Sequence, residues 1–108
     1  MSTANTAAKS LREAIISAVK KAQSAGLLPE AEMPDFVIEV PADRSHGDLA
    51  SNAAMVSART FRSAPRKIAE TILAQLDLTG TYFSRCEIAG PGFMNFFYAD
   101  TFYASVIR

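Results

Sequence analysis

Gly90-Pro91-Gly92 separates two short alternating stretches near the end of the chain, and no other feature limits the fold as much. Gly-Pro and Pro-Gly steps mark tight turns. Before the turn, Tyr82, Ser84, Cys86 and Ile88 alternate with Phe83, Arg85 and Glu87. After it, Phe93 to Tyr98 is rich in aromatic residues and reads as a strand. The two stretches predict a β-hairpin. Along the second strand, alternation puts Met94, Phe96 and Tyr98 on one face and Phe93, Asn95 and Phe97 on the other. The Met94 face carries no amide and is the predicted core face. The opposite face is predicted to lie on the open side of the sheet.

The rest of the chain supplies helices to cover that core. Leu11, Ile15, Val19 and Ala22 form one apolar stripe, which predicts a helix from about Ala7 to Ala25. Ser10 to Glu13 can form a capping box, or Ala7 and Ala8 let the helix begin earlier. Gly26 is the predicted stop, with Pro29 beyond it. Phe36 to Val40 reads as a strand between Pro34 and Pro41. The loop PADRSHGD follows, and Asp48 is the predicted N-cap of a helix from Leu49 to about Phe61. Pro65 suits the first turn of another helix, with Ile68, Ile72, Leu73 and Leu76 as its buried stripe and an end near Leu78. Asp100 or Thr101 reads as the cap of a last helix from Phe102. Residues 1–6 are small and polar and are expected to be disordered. The order is α, β, α, α, β, β, then a helix start. It predicts a two-layer α+β domain with helices packed on one face of a small antiparallel sheet.

A chain of 108 residues with 49% hydrophobic residues fits one domain with one core, needing neither metal nor disulfide. Cys86 is the only cysteine, which rules out an internal disulfide and a four-cysteine zinc site, and fits a reducing compartment. No apolar run is long enough to span a bilayer, and the N-terminus has no leader pattern. The 11 basic and 11 acidic residues balance, so nucleic-acid binding by overall charge is disfavoured and would need a local patch.

Phe93, Asn95 and Phe97 suggest such a local site. Single-stranded RNA is read by stacking splayed bases on rings and hydrogen-bonding their edges. Phe93 offers a ring, and Asn95, roughly 6–7 Å along the strand, offers both donor and acceptor. Gly90 and Gly92 allow close backbone approach. The alternative is structural: an aromatic strand serves as core, and Asn95 bonds a neighbouring loop or docks another domain. Arg59, Arg62, Arg66 and Lys67 lie close together with no acid between them. Arg66 and Lys67 in a helix first turn oppose its dipole, which would suit phosphate. A solvated helix surface explains them equally well. His46, the only histidine, has Asp43, Ser45 and Asp48 nearby, but the spacing suits neither a metal nor a catalytic triad. The expected roles are structural. Gly47 permits a sharp turn, Asp48 caps a helix, His46 bonds the loop or meets a ligand, and Asn52 bonds back to the loop. Cys86 is expected to be an inert core thiol.

Two segments resemble a known family. PADRSHGDLASNAAMVSAR, residues 41–59, resembles the proline, His-Gly-Asp and Asn-Ala signature of the N-terminal additional domain of arginyl-tRNA synthetases. AGPGFMNFFY, residues 89–98, resembles that domain's Gly-Pro-Gly-Phe-(apolar)-Asn-Phe segment, and the helix APRKIAETILAQL lies between them. The resemblance implies that residues 1–108 are a single additional domain from a longer chain, with 100–108 starting a linker helix. The parent would join arginine to its tRNA using ATP and magnesium in a later catalytic domain. That domain's His-x-Gly-His-like and Lys-Met-Ser-Lys-Ser-like motifs are not in this sequence, so no catalytic residue and no cofactor are expected here. The partners implied are the D loop of arginine tRNA and the catalytic domain, in a cytoplasmic monomer with no membrane contact. By motif, Phe93 and Asn95 would contact a D-loop base. Gly90 stands where some eukaryotic members have an asparagine that also contacts it. A module that only packs against another domain remains the alternative.

Overall fold

The computed structural model describes residues 3–99. The predicted cap at Asp100 or Thr101 and the helix from Phe102 lie outside the described residues. Helix α1 runs over Thr3–Ser24, starting earlier than Ala7. Ser10 sits inside it, and its hydroxyl donates to the Ala7 carbonyl at 3.0 Å instead of capping. The alanine-rich start favours this longer helix. Ala7, Leu11, Ile15, Ala18, Val19 and Ala22 form the buried stripe. At the C-terminus Gly26 turns to φ 78°. Leu27 N–H then donates to Ala22 O at 2.8 Å and Gly26 N–H to Gln23 O at 3.1 Å, the paired bonds of a Schellman stop. The Gln23 amide holds the departing chain, donating to Pro29 O and Ala31 O.

The sheet has four strands in the order β1-β2-β4-β3, every pairing antiparallel. These are β1 (Ile38–Glu39), β2 (Leu49–Ser51), β3 (Phe83–Ala89) and β4 (Phe93–Tyr98). Helices α2 (Ala53–Val56), α3 (Ala58–Phe61) and α4 (Pro65–Gln75) and a 3₁₀ turn over Arg44–His46 complete the described elements. One core joins the α1 stripe to Phe61, Ile68, Ile72, Phe83, Met94 and Phe96. The helices therefore cover the Met94 face, as the alternation of β4 predicts. Among the described residues no helix is long and apolar enough to cross a membrane.

Two predictions fail at Asp48 and Leu49. Residues Leu49–Ser51 form a strand where the sequence predicts the start of a helix. Their backbone is claimed on both sides, by β1 and by β4, and tertiary pairing overrides a weak helix propensity. Asp48 consequently caps nothing. Its N–H donates to Phe96 O at 2.9 Å, and its carboxylate accepts the Tyr98 N–H at 2.9 Å, extending the ladder along β4. The predicted single helix to Phe61 is also divided at Ser57. That buried hydroxyl donates to Ala53 O at 2.7 Å, a back-bond that distorts short helices. Asn52 also departs from expectation: its Oδ1 accepts the Val37 N–H at 2.9 Å, before β1, and not a group of the 41–48 loop. Strand β1 is shorter than the predicted 36–40, and α4 ends at Gln75, short of Leu78.

The hairpin forms as predicted, but β3 does not alternate simply. The register runs Phe83↔Tyr98 and then Arg85↔Phe97, so Ser84 is an extra residue in a bulge. One inserted residue reverses the parity of a strand. Phe83 therefore joins Cys86 and Ile88 on the core side, stacking on Tyr98 at 4.9 Å between ring centroids.

Candidate nucleic-acid interface

The face of β4 away from the helices bears Phe93, Asn95 and Phe97, as predicted, but the three differ in access. Phe93 is 40% exposed. Asn95 is only 6% exposed, although it lies on the open face. The segment between β1 and β2 folds over it. Gly47 comes so close that a Cβ there would stand 3.3 Å from Asn95 Cβ and 3.0 Å from Phe96 O. Phe97 is covered from its own sheet: the Arg85 guanidinium lies 3.7 Å from its ring centroid and pairs with Glu87. Phe93 is thus the ring left free.

A cleft of about 450 Å³ opens between that loop and the hairpin turn. Its size falls within the roughly 300–1,000 Å³ of small-ligand sites. Phe93 and Asn95 line it with Gly90, Pro91 and Ala89 on one side and Pro41, His46, Glu39 and Ala50 on the other. The Asn95 carboxamide makes no hydrogen bond among the described residues, yet no wholly enclosed side-chain N or O there lacks a partner. The amide is therefore open to the cleft, and its donor and acceptor are free for a ligand.

The loop has its own internal order. The Asp43 carboxylate accepts from the Ser45 hydroxyl at 2.7 Å and from the Ser45 N–H at 2.9 Å, which holds it below the usual carboxylate range. Asp48 is bound to Tyr98. His46, in a single 3₁₀ turn over Arg44–His46, is exposed at the cleft and lies near enough to Asp43 to add slightly to that lowering.

The basic residues Arg59, Arg62, Arg66 and Lys67 are all exposed. One arm of Arg66 is engaged: its Nη1 donates to Gly90 O at 2.9 Å, joining the first turn of α4 to the cleft wall. Gly92, at φ 138°, sits directly on Pro65, where a Cβ would be 2.9 Å from the proline carbonyl carbon. Arg62 adopts a left-handed conformation, φ 53° and ψ 47°, at the end of α3. Glu39, Pro41 and Ala50 were not legible as cleft residues, because only the register of β1 on β2 on β4 brings them to Asn95. Arg66 as an anchor had a faint signal in its misfit with the helix dipole.

A family model for the arginyl-tRNA synthetase N-terminal domain matches residues 9–98. The chain belongs to that family. It is 40% identical over 103 residues to an arginine–tRNA ligase of Acetivibrio thermocellus, covering 95% of this chain and 18% of that protein. With an arginine–tRNA ligase of Desulforamulus reducens it shares 47% identity over 100 residues, covering 93% of this chain and 17% of the relative. The crystal structure of arginyl-tRNA synthetase from Plasmodium falciparum superposes with a TM-score of 0.73 at 15% identity, over 94% of this chain and 17% of that one. This last likeness concerns the fold alone. The chain spans less than a fifth of the length of these relatives.

Proposed function

We propose that this synthetase N-terminal domain is the RNA-contacting part of an arginine–tRNA ligase, and that its cleft receives one unpaired base from the D loop of arginine tRNA. The unpartnered Asn95 carboxamide beside the exposed Phe93 ring carries this reading. In it, the base stacks on Phe93 and its edge exchanges hydrogen bonds with Asn95. Arg59, Arg62 and Lys67 meet phosphates from the adjoining helices, while Arg66 holds the cleft wall. The ligation itself, with ATP and magnesium, belongs to a separate catalytic domain of a monomeric cytoplasmic parent.

Gly90 supports the same reading. A Cβ added there would meet only Phe93 Cδ2, at 3.9 Å, and its φ of 56° is one that asparagine tolerates. The position can therefore carry the asparagine of some eukaryotic members beside the same ring.

The test is an amide-resolved NMR titration with arginine tRNA and with the same tRNA altered only in its D loop. Shifts at Gly92 to Asn95 that disappear with the altered loop are expected. Phe93→Ala should weaken binding by about 1–3 kcal/mol, the worth of one stacked base, and leave the fold intact. Undiminished affinity in that variant would sink base stacking. A second reading, docking on another part of the parent, is favoured by Val37 and Val40, exposed on either side of β1. Docking through that flank predicts RNA-independent shifts there.

A further inference from the structure

Glu39 lies in a single row of residues that crosses the whole sheet. It pairs with Ala50, Ala50 pairs with Asn95, and Asn95 pairs with Glu87. Registered partners share a face, and neighbouring strands lie about 4.7–4.9 Å apart. Glu39 and Asn95 thus stand on opposite sides of the small Ala50 side chain, two strand spacings apart, and all three line the cleft. The acids at the two ends differ. Glu87 is engaged with Arg85, whereas Glu39 makes no ion pair among the described residues.

Asn95 alone discriminates poorly. A carboxamide offers a donor and an acceptor and can turn to suit either order of groups on a base edge. An ionised carboxylate only accepts. It also repels RNA phosphates, so a free one in an RNA-binding cleft is unfavourable unless the bound base donates to it. Resting on the base-binding reading above, we infer that Glu39 determines specificity: it accepts a hydrogen bond from an exocyclic amino group, so the cleft selects adenine, cytosine or guanine over uracil. Uracil has no exocyclic amino group, and its one edge donor, N3–H, is flanked by two carbonyl oxygens that would be set against the carboxylate.

The test measures dissociation constants for arginine tRNA and for variants in which each unpaired D-loop base in turn becomes uridine. For the unaltered protein, one such change should weaken binding roughly tenfold, as a lost base-edge contact does. Glu39→Gln keeps the shape but can present an N–H to a carbonyl. It should reduce that ratio to about one, whatever its uniform effect from the lost charge. Glu39 is exposed, so its replacement leaves the core untouched. A ratio unchanged in Glu39→Gln, or no uridine penalty at any position while Phe93→Ala still weakens binding, would overturn the role of Glu39 and leave base stacking in place. Affinity that ignores both the D loop and Phe93 would overturn the base-binding reading as well.

Discussion

Arg66 donates a hydrogen bond to the carbonyl of Gly90, 2.9 Å away, and so links the start of α4 to the turn that carries Phe93. A residue that looks like a phosphate contact in the sequence also braces the turn in the structure. Replacing Arg59, Arg62 or Lys67 by alanine should each lower the slope of log affinity against log salt by about one. Arg66→Ala should change that slope less, while amide exchange at Gly90 and Gly92 speeds up without RNA present. Salt-dependent binding isotherms and hydrogen exchange check the two halves separately. An Arg66→Ala slope equal to the others would show that the guanidinium leaves Gly90 for RNA.

Arg62 holds a left-handed conformation that a side chain makes unfavourable by about 1 kcal/mol or more. Arg62→Gly should therefore stabilise the domain by up to about 1 kcal/mol in urea denaturation. The same variant should bind tRNA less tightly, because one cation is lost. A gain in stability with no change in binding would assign Arg62 to helix termination alone.

Gly47 roofs Asn95 at φ 111°, where an added Cβ would press on the Phe96 carbonyl at 3.0 Å. Gly47→Ala should destabilise the fold by about 1–3 kcal/mol, the usual range for such strain. It should also shift the Asn95 side-chain amide resonance, since the roof must move. Thermal denaturation and a side-chain NMR spectrum report both effects. Wild-type stability would mean that the loop adjusts without strain.

Burial pushes the Cys86 thiol up to about 12 from an ordinary 9.0, and the nearby Glu87 charge adds to the effect. The folded protein then holds this proton more tightly than the unfolded chain does. The resulting stability is complete below pH 9.0 and is lost as the pH rises toward about 12. Denaturation across that window should show a steeper alkaline decline in the native protein than in Cys86→Ala. Alkylation at neutral pH should be slow until urea is added. Rapid labelling of the folded chain would contradict a partly buried thiol held protonated.

The elements legible in the sequence are those fixed by local pattern. The α1 stripe, the α4 stripe after Pro65, the hairpin turn and the two faces of β4 all follow from spacing and turn chemistry. What was hidden depends on partners far along the chain. Nothing local distinguishes Leu-Ala-Ser as a strand, because its state is set by β1 and β4. The Ser84 bulge is equally silent, since any residue can be the extra one in a ladder. Asn95 shows the same division within one side chain: its face could be read from alternation, but its burial under Gly47 could not. The cleft was half visible for that reason, through Phe93 and Asn95, while its Glu39 and Ala50 side came only with the register.

The strand order has a consequence for how the site comes into being. Strand β2 needs β4 on its inner flank, yet β4 is the last of the four described strands to be synthesised. As the chain leaves the ribosome, β1 and β2 must wait with an open hydrogen-bonding edge until residues 93–98 emerge and slot between β2 and β3. Such edges attract foreign strands. A nascent chain stalled before Phe93 would have neither cleft nor closed sheet, so completion of the sheet and appearance of the binding site are one event.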